Sequence, residues 1–343
     1  MENEQNSGAV ESPKSTPEKP TPAPVAKEAE KRHFILTSSP HVKTPARVPL
    51  IMWLVITTLL PTVGFSVYNF GVRPLIVIVT AILSAMVAEE FVNLIRHRKM
   101  TIGDGSAALT GLLLALTLPP SLPLSMVVIG AAFAIIVGKQ IFGGLGYNIF
   151  NPALLGRAFL QTSFPIAMTT WTIPRTIDAI TTATPLGSFK FEKILTPYIE
   201  LFIGKVGGCI GETSALALLI GGLILALMRI INWRIPLSYL GTVVIFSGIL
   251  WLIDPAQYPD PIFHLFSGGL MLGAFFMATD MVTSPVTNVG AWIFGIGAGI
   301  LLVIIRQFGG LPEGVMYSIL LMNGLVPLIN RYTRPQYFGE VKK

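Results

Sequence analysis

Two adjoining stretches of the chain decide its fold: VPLIMWLVITTLLPTVGFSVY at 48–68 and PLIVIVTAILSAMVAEEFVNLI at 74–95. Each holds about twenty residues with few charges, and a helix rises about 1.5 Å per residue. A helix of that length crosses about 30 Å, the thickness of the hydrocarbon core of a bilayer. The sequence therefore predicts two consecutive transmembrane helices joined by a short turn.

The rest of the chain has the same character. Of its 343 residues, 52% are hydrophobic and 12% charged, with a mean hydropathy of +0.67, whereas soluble domains carry about 25% charged residues. We predict an all-α integral membrane protein of about ten transmembrane helices. The predicted spans, bounded by Pro, Gly and charged clusters, lie near 48–68, 74–95, 105–118, 122–142, 151–170, 208–228, 236–253, 262–279, 287–306 and 312–330.

Some of these helices are expected to be short or broken. The span at 105–118 covers only about 20 Å of the bilayer core. An interrupted helix is tolerated in a membrane where protein or a cavity satisfies its backbone. We therefore expect this element to lie inside the bundle.

The spans divide the chain into five parts: a disordered, basic N-terminal tail at 1–47, a first five-helix half at 48–170, a loop at 171–207, a second half at 208–330 and a C-terminal tail at 331–343. Because five spans precede the loop and five follow it, the two halves are predicted to face oppositely across the membrane. The runs GDGSAALTGLLLAL and GETSALALLIGG, one from each half, share a Gly, acid and Ser/Thr opening. This likeness gives weak support to an inverted repeat.

The net charge of +6 reflects membrane topology and not nucleic-acid binding. Most of the 24 Lys and Arg residues flank the spans on the side of the N-terminus; Lys139 is counted on that side and Arg306 on the opposite one. Basic residues accumulate on the cytoplasmic side of membrane proteins. The pattern predicts an inner-membrane protein with both termini in the cytoplasm and the loop at 171–207 outside.

Cysteine and histidine usage argues against a metal centre. The single cysteine, Cys209, cannot supply four thiolates for an iron–sulfur cluster or form an internal disulfide. The four histidines show no ligand spacing such as HExxH. We expect Cys209 to be a small packing residue, and we expect no metal site. Redox chemistry, if present, would then come from an organic cofactor.

The long loop contains the hydroxyl-rich run DAITTATPL at 178–186. Pro185 biases the preceding Thr184 toward an extended backbone, which would present its hydroxyl to a modifying enzyme. The alternative is an ordinary threonine-rich turn. The residues of the loop alone leave both interpretations open.

Several segments resemble one family, the membrane subunits of the Rnf complexes and of the sodium-translocating quinone reductases. The closest similarity is to the D subunits of Rnf complexes, and it runs from about Ser39 to Tyr332. The segments that carry it are DAITTAT in the loop, GGLGYNIFNPALLGRAF at 143–159, GGCIGETSALALLIGG at 207–222, FFMATDMVTSPVT at 275–287 and PEGVMYSILLMNGLVPLIN at 312–330.

The resemblance implies that a separate flavin transferase esterifies Thr184 with the phosphate of FMN. Asp178 and Thr181 would then be recognition residues, and Thr181 is the rival attachment point. Thr182 stands where related motifs often have Gly. A tethered flavin would relay electrons, because the cofactor supplies the redox chemistry and the protein its position.

The resemblance also implies a biological role. The chain would be a flavin-carrying subunit of a ferredoxin:NAD oxidoreductase that moves Na⁺ or H⁺, with other membrane and peripheral subunits of the Rnf complex as partners. It would not be catalytic alone. The competing hypothesis is a small-solute transporter, which the five-plus-five arrangement and broken helices also fit.

Asn148 and Asn151 have two interpretations. Asn151 precedes Pro152, the pattern of a helix N-cap with proline at the first helical position. By resemblance to the quinone reductase subunit, both asparagines would hydrogen-bond a second, noncovalent flavin, riboflavin, near the cytoplasmic side.

Ionisable residues near the spans also have two interpretations. Arg157 lies inside a predicted span, where it is either a functional group or a snorkelling or ion-paired side chain. For Glu89 and Glu90 we favour pairing or interfacial solvation over a cation path, and for Asp104 a helix cap. Glu212 and Asp280 lie at segment ends. They either cap helices or line the flavin pocket.

Overall fold

The computed structural model of the protein describes residues 47–172, 181–204 and 206–335. Within them the chain is mostly helical, as predicted. The helices, numbered in chain order, are α1 Val48–Phe70, α2 Arg73–Ile95, α3 Ser106–Leu116, α4 Leu124–Ile135, α5 Pro152–Ser163, α6 Pro165–Thr169, α7 Pro185–Glu192, α8 Tyr198–Ile203, α9 Ala215–Leu227, α10 Arg234–Ile253, α11 Pro261–Phe266, α12 Leu270–Leu272, α13 Asn288–Phe308 and α14 Val315–Tyr332.

Short elements of other types complete the fold. Two-residue strands, Trp171–Thr172 and Thr181–Thr182, pair antiparallel in the long loop, so the all-α prediction missed a small hairpin. Two 3₁₀ turns, Ile102–Asp104 and Ile210–Thr213, precede α3 and α9, and two π-helical segments follow α4 and α12 at Ile136–Gln140 and Gly273–Met277. The predicted tails lie outside the described residues, apart from Arg47 and 331–335.

In the part of the chain that the structure describes, four helices are long and apolar enough to cross a bilayer: α1, α2, α10 and α13. They contain 20 to 23 residues each and match four of the predicted spans. The shorter apolar helices are α3, α4 with its π-helical extension, and α9. As expected for 105–118, α3 is short, with 11 residues.

Two predicted spans are interrupted where a single helix was expected. In 151–170, α5 ends at Ser163 and α6 starts at Pro165, because proline lacks the N–H that would continue the helix. In 262–279, α11 ends at Phe266 and the chain turns through Gly268, which has φ +67°. A left-handed residue of this kind ends a helix and is most easily glycine.

Close helix contacts depend on residues without side chains. A Cβ atom on Gly111 of α3 would lie 2.7 Å from the Ala81 carbonyl oxygen of α2. On Gly295 of α13 it would lie 2.8 Å from the Ile235 carbonyl oxygen of α10. Packing of small residues drives helix association in lipid, where the hydrophobic effect between helices is weak.

Replacing Gly111 should therefore separate α2 from α3. We expect Gly111→Ala to lower the free energy of unfolding by about 1–3 kcal/mol through overpacking, measured by thermal unfolding in one detergent. The matched control is Gly241→Ala in α10, where an added Cβ meets nothing within 4 Å. It should be neutral or stabilise slightly, and equal losses in the two variants would contradict the packing argument.

Candidate functional site

Thr184 is the N-cap of α7. Its backbone is extended, with φ −65° and ψ 156°, as Pro185 predicts, and its Oγ1 accepts a hydrogen bond from the Gly187 N–H at 3.2 Å. The residue is only 4% exposed. The hydroxyl is therefore held in a helix-capping turn and is not presented on the surface. The extended backbone agrees with the first interpretation of the loop, and the capping turn agrees with the second.

The helix behind Thr184 is fixed to the membrane domain by two kinds of contact. Leu186 and Phe189 pack with Leu201 of α8 and Phe263 of α11 in a small apolar cluster. Lys190 donates hydrogen bonds to the carbonyl oxygens of Arg306, at 2.9 Å, and of Gly309, where α13 ends. A cation at a helix C-terminus is favourable because unpaired carbonyls gather there. These contacts give Thr184 a fixed position.

A phosphate group on Thr184 would suit this environment. It would lie at the N-terminus of α7, where N–H groups and the helix dipole favour an anion. Of the predicted recognition residues, Thr181 lies in the hairpin, with its backbone paired to Thr172. Asp178 lies outside the described residues. The position of Thr184 at a helix N-terminus is thus compatible with the phosphate end of an esterified FMN.

A second candidate site lies at the opposite ends of the helices and is lined by both halves of the chain. We call it the inner pocket. Its polar lining residues are Ser106, Thr110, Lys139, Asn148, Asn151, Thr279 and Asp280, and Phe275 and Phe276 form part of its apolar wall.

The structure confirms Asn151 as a helix cap. Its Oδ1 accepts hydrogen bonds from the Ala153 N–H at 3.0 Å and the Leu154 N–H at 3.4 Å. Its Nδ2 donates to the Met277 carbonyl oxygen at 3.2 Å, which joins α5 to the π-helical segment of the second half. Most of the hydrogen-bonding capacity of Asn151 is therefore used by the protein itself.

Asn148 lies beside Asp280 in the inner pocket. Its Nδ2 donates to the Phe150 carbonyl oxygen at 3.2 Å, and its side chain hydrogen-bonds the Asp280 carboxylate. Asp280 also accepts a hydrogen bond from Thr283 at 3.0 Å. Backbone N–H groups of Val282 and Thr283 also hydrogen-bond its carboxylate, so Asp280 both caps the turn that follows it and lines the inner pocket.

Lys139 is a site residue that the sequence interpretation missed. It was counted among the cytoplasmic flanking charges, but it is 2% exposed, and its Nζ lies 2.7 and 2.9 Å from the two oxygens of Glu89 and 2.5 Å from Ser106 Oγ. The pairing expected for Glu89 is confirmed. Glu90 accepts a hydrogen bond from the Thr101 N–H at 2.8 Å. Lys139 follows the apolar run IIVG, which gives no signal of a buried partner fifty residues away.

A third group of ionisable residues lies in the interior, and we call it the charge cluster: Arg157, Cys209, Glu212, Arg306 and Glu313. Arg157 forms an ion pair with Glu313, which confirms the paired alternative for this residue. Cys209 Sγ and oxygens of Glu212 and Glu313 lie within 4.8 Å of one another. Cys209 is buried as predicted, yet it contacts charged groups as well as apolar ones.

Arg306 also corrects the sequence interpretation. It was counted as an extracytoplasmic flanking charge, but it is buried and donates to the carbonyl oxygens of His264 at 2.8 Å and Ser267 at 2.9 Å. Asp104 behaves as predicted, because its Oδ1 accepts the Ser106 N–H at 2.8 Å at the start of α3. Neither the role of Arg306 nor the partner of Arg157 has a local sequence signal.

Long apolar helices, interrupted helices and buried ion pairs define a helical integral membrane protein. The chain belongs to the NQR2, RnfD, RnfE family, whose profile matches residues 35–339.

Three relatives extend the comparison. The chain is 49% identical to the D subunit of the proton-translocating ferredoxin:NAD(+) oxidoreductase complex of Clostridium ljungdahlii, over 91% of this chain and 98% of that one. It is 45% identical to the D subunit of the Na(+)-translocating ferredoxin:NAD(+) oxidoreductase complex of Acetobacterium woodii, over 90% of this chain and 96% of that one. It is 39% identical to the D subunit of the ion-translocating oxidoreductase complex of Cronobacter sakazakii, over 90% and 99%.

The charge cluster predicts unequal costs for removing its members. Arg157→Gln should lower the free energy of unfolding by about 3 kcal/mol, because two partly buried carboxylates lose their guanidinium partner. Glu313→Gln should cost less, since Glu212 still lies near Arg157. Denaturant unfolding in one detergent measures both. The control Arg234→Gln removes an exposed guanidinium that bonds Asn288 and should change stability by about 0.5 kcal/mol at most. Equal losses for Arg157→Gln and Glu313→Gln would contradict this account.

Proposed function

We propose that this chain is the membrane-embedded D subunit of an ion-translocating ferredoxin:NAD⁺ oxidoreductase complex in the inner membrane. The observation that carries the proposal is its identity of 49% and 45%, over nearly the full length, to relatives named as that subunit. Those two names specify protons and Na⁺ respectively, so the proposal covers either ion. Other membrane and peripheral subunits would be its partners, and the chain would not be catalytic alone.

Within that complex, Thr184 is proposed to carry FMN through a phosphoester to Oγ1. When bound, FMN accepts and returns electrons singly or in pairs. The residues of this chain would do the positioning: the first turn of α7 stabilises the phosphate, and Lys190 holds α7 against the end of α13. A flavin fixed at one end cannot diffuse away between electron transfers.

The burial of Thr184 has a consequence for maturation. A transferase needs access to Oγ1, yet this atom accepts the Gly187 N–H and the residue is almost enclosed. We infer that the flavin is attached while the first turn of α7 is open, before α7 packs on α11 and α13. The transferase would recognise Asp178 and Thr181 in that open state.

The proposed topology has ten spans in two inverted halves, with both termini in the cytoplasm and Thr184 outside. One support is that each half contains a short apolar helix preceded by a 3₁₀ turn, α3 in the first and α9 in the second. Another is the aromatic and basic contact of Trp233, Arg234 and Trp292 where α10 and α13 begin. Such residues concentrate at the interface, and the basic ones on the cytoplasmic side.

The inner pocket is proposed to hold a second, noncovalent flavin, riboflavin, on the cytoplasmic side. Asn148 and Asp280 would offer polar contacts to the ring edge and Phe275 and Phe276 an apolar wall. Asn151 would act mainly by capping α5 and Arg157 by its ion pair with Glu313, away from this pocket.

Covalent attachment is tested at the threonines of the loop. In cells that contain the flavin transferase, the wild-type chain and Thr184→Ser should gain the mass of one phosphoester-linked FMN and fluoresce in a denaturing gel. Thr184→Ala should lose both signals, because it has no hydroxyl. Thr182→Ala is the matched control and should keep full signal, whereas Thr181→Ala should lower the yield by weakening recognition. A fluorescent Thr184→Ala band would refute the assignment, and a dark wild-type band would favour the solute-transporter alternative.

The inner pocket is tested separately by the flavin released from denatured protein. Asn148→Ala should weaken noncovalent flavin binding by about tenfold, from the loss of about one hydrogen bond, without changing the covalent mass increment. Asn288→Ala, which removes an exposed amide outside the pocket, is the control. Unchanged released flavin in Asn148→Ala would remove this residue from the site.

A further inference from the structure

Another cavity opens where two long apolar helices end, α10 at Ile253 and α13 at Phe308. Its volume is about 200 Å³, and we call it the basic cavity. Because both helices are long enough to cross the bilayer, their ends place it at the level of the lipid headgroups. Residues from α7, α11, α13 and the loop after α10 line it, among them Lys190, Lys193, Tyr258, His264, Arg306 and Gln307.

The charge of this cavity is unbalanced. Lys190, Lys193 and Arg306 line it, and the described part of its wall contains no aspartate or glutamate. Glu212 and Glu313 of the charge cluster act on Arg306, so the excess positive charge is that of the two lysines. Across residues 47–172, 181–204 and 206–335, none of the three has a carboxylate within 4.0 Å; the ion pairs there involve Lys139 and Arg157. Partial burial lowers the pKa of Lys190 below its ordinary value, as expected for a cation without a counter-ion.

The nearest acids in the adjoining loop serve other groups. Asp254 Oδ1 accepts the Ala256 N–H at 3.0 Å, and Asp260 Oδ1 accepts the Phe263 N–H at 3.3 Å at the start of α11. Tyr198 also hydrogen-bonds Asp260. These carboxylates act as caps and are not among the residues that line the cavity.

Donor capacity remains after the protein's own hydrogen bonds are made. Lys193 donates to the Gln257 carbonyl oxygen at 3.0 Å, and an ammonium has three N–H groups. Arg306 Nε and His264 Nδ1 are buried and lack a hydrogen-bond partner among the described residues, and His264 is only 1% exposed. These two atoms are enclosed by protein, so the free N–H groups of Lys193 are the donors that remain for an acceptor in the cavity.

Apolar side chains also line the cavity. Phe189 and Phe263 line the cavity together with Phe308. Outside it, Leu252 is 74% exposed and Ile253 72% exposed, at the same end of α10. A ligand that suits the whole site would combine a negative charge with hydrocarbon.

We propose that the basic cavity binds the phosphate of an anionic phospholipid, with its acyl chains against Leu252, Ile253 and Phe308. Phospholipid is abundant at this level of the bilayer, and clustered basic residues attract anionic headgroups. The proposal stands apart from the flavin assignment. The other phosphate source is a flavin on Thr184, since Leu186, two residues further on, lines the cavity.

The test uses the full chain, produced without flavin transferase and purified in detergent. Native mass spectrometry follows titration with dioctanoylphosphatidylglycerol, which is anionic, or dioctanoylphosphatidylcholine, which is zwitterionic. We expect the anionic lipid to bind at least about fivefold more tightly, and Lys190→Gln and Lys193→Gln each to weaken it by about fivefold. Lys193 is exposed, so Lys193→Gln should leave the fold intact. It therefore tests the proposal even if Lys190→Gln does not fold.

The control is Arg73→Gln, which removes a cation that bonds the carbonyl oxygens of Pro120 and Ser121 away from the cavity. It should leave lipid affinity unchanged. Equal affinities for the two lipids, or an equal loss in Arg73→Gln and Lys193→Gln, would overturn the proposal. The titration is repeated on flavinylated chain. If the anionic lipid binds only the unflavinylated chain, the anion is the flavin phosphate and the lipid assignment falls.

Discussion

The fold depends on one constraint: in hydrocarbon, every backbone N–H and C=O must find a partner within the protein. Two of the predicted spans break this rule locally, because their helices are interrupted. A side chain from another helix satisfies the second break, and a further side chain joins the two halves. Arg306 of α13 bonds the carbonyl oxygens of His264 and Ser267, where α11 ends, and Asn151 bonds the Met277 carbonyl oxygen in the other half. These contacts make irregular backbone possible inside the bundle.

The same contacts determine where the candidate sites lie. Arg306 fixes the broken segment against α13, and its own carbonyl oxygen then receives Lys190 of α7. The position of Thr184 therefore depends on α13, because α7 packs against the end of that helix. The two are distant in sequence. At the other end, Asn151 caps α5 and ties it to the π-helical segment that forms a wall of the inner pocket. Each candidate flavin site thus depends on a side chain that bonds the backbone of another element, Arg306 for Thr184 and Asn151 for the inner pocket.

The sequence predicted the parts of this arrangement that depend on local physics. The lengths of α1, α2, α10 and α13 follow from uninterrupted apolar runs, the Asn151 cap from its position before Pro152, and the extended backbone of Thr184 from Pro185. The partners could not be predicted. Lys139 and Glu89 are 50 residues apart, and Arg157 and Glu313 are 156 apart, so only the folded chain shows that these charges neutralise each other. The residues that interrupt these helices, Pro165 and Gly268, can be seen in the sequence. Proline and glycine also occur within intact membrane helices, however, so they do not by themselves predict a break.

Charge placement follows from the same physics. A charge in a medium of low dielectric constant is tolerated when it is paired and hydrogen-bonded, and Lys139 with Glu89 and Arg157 with Glu313 satisfy that condition in the interior. Lys190 and Lys193 lie beyond the long helices and bond only carbonyl oxygens among the described residues. Their charges are tolerable there because water and headgroups are close. The contrast separates charges that stabilise the bundle from charges that remain available to an anion.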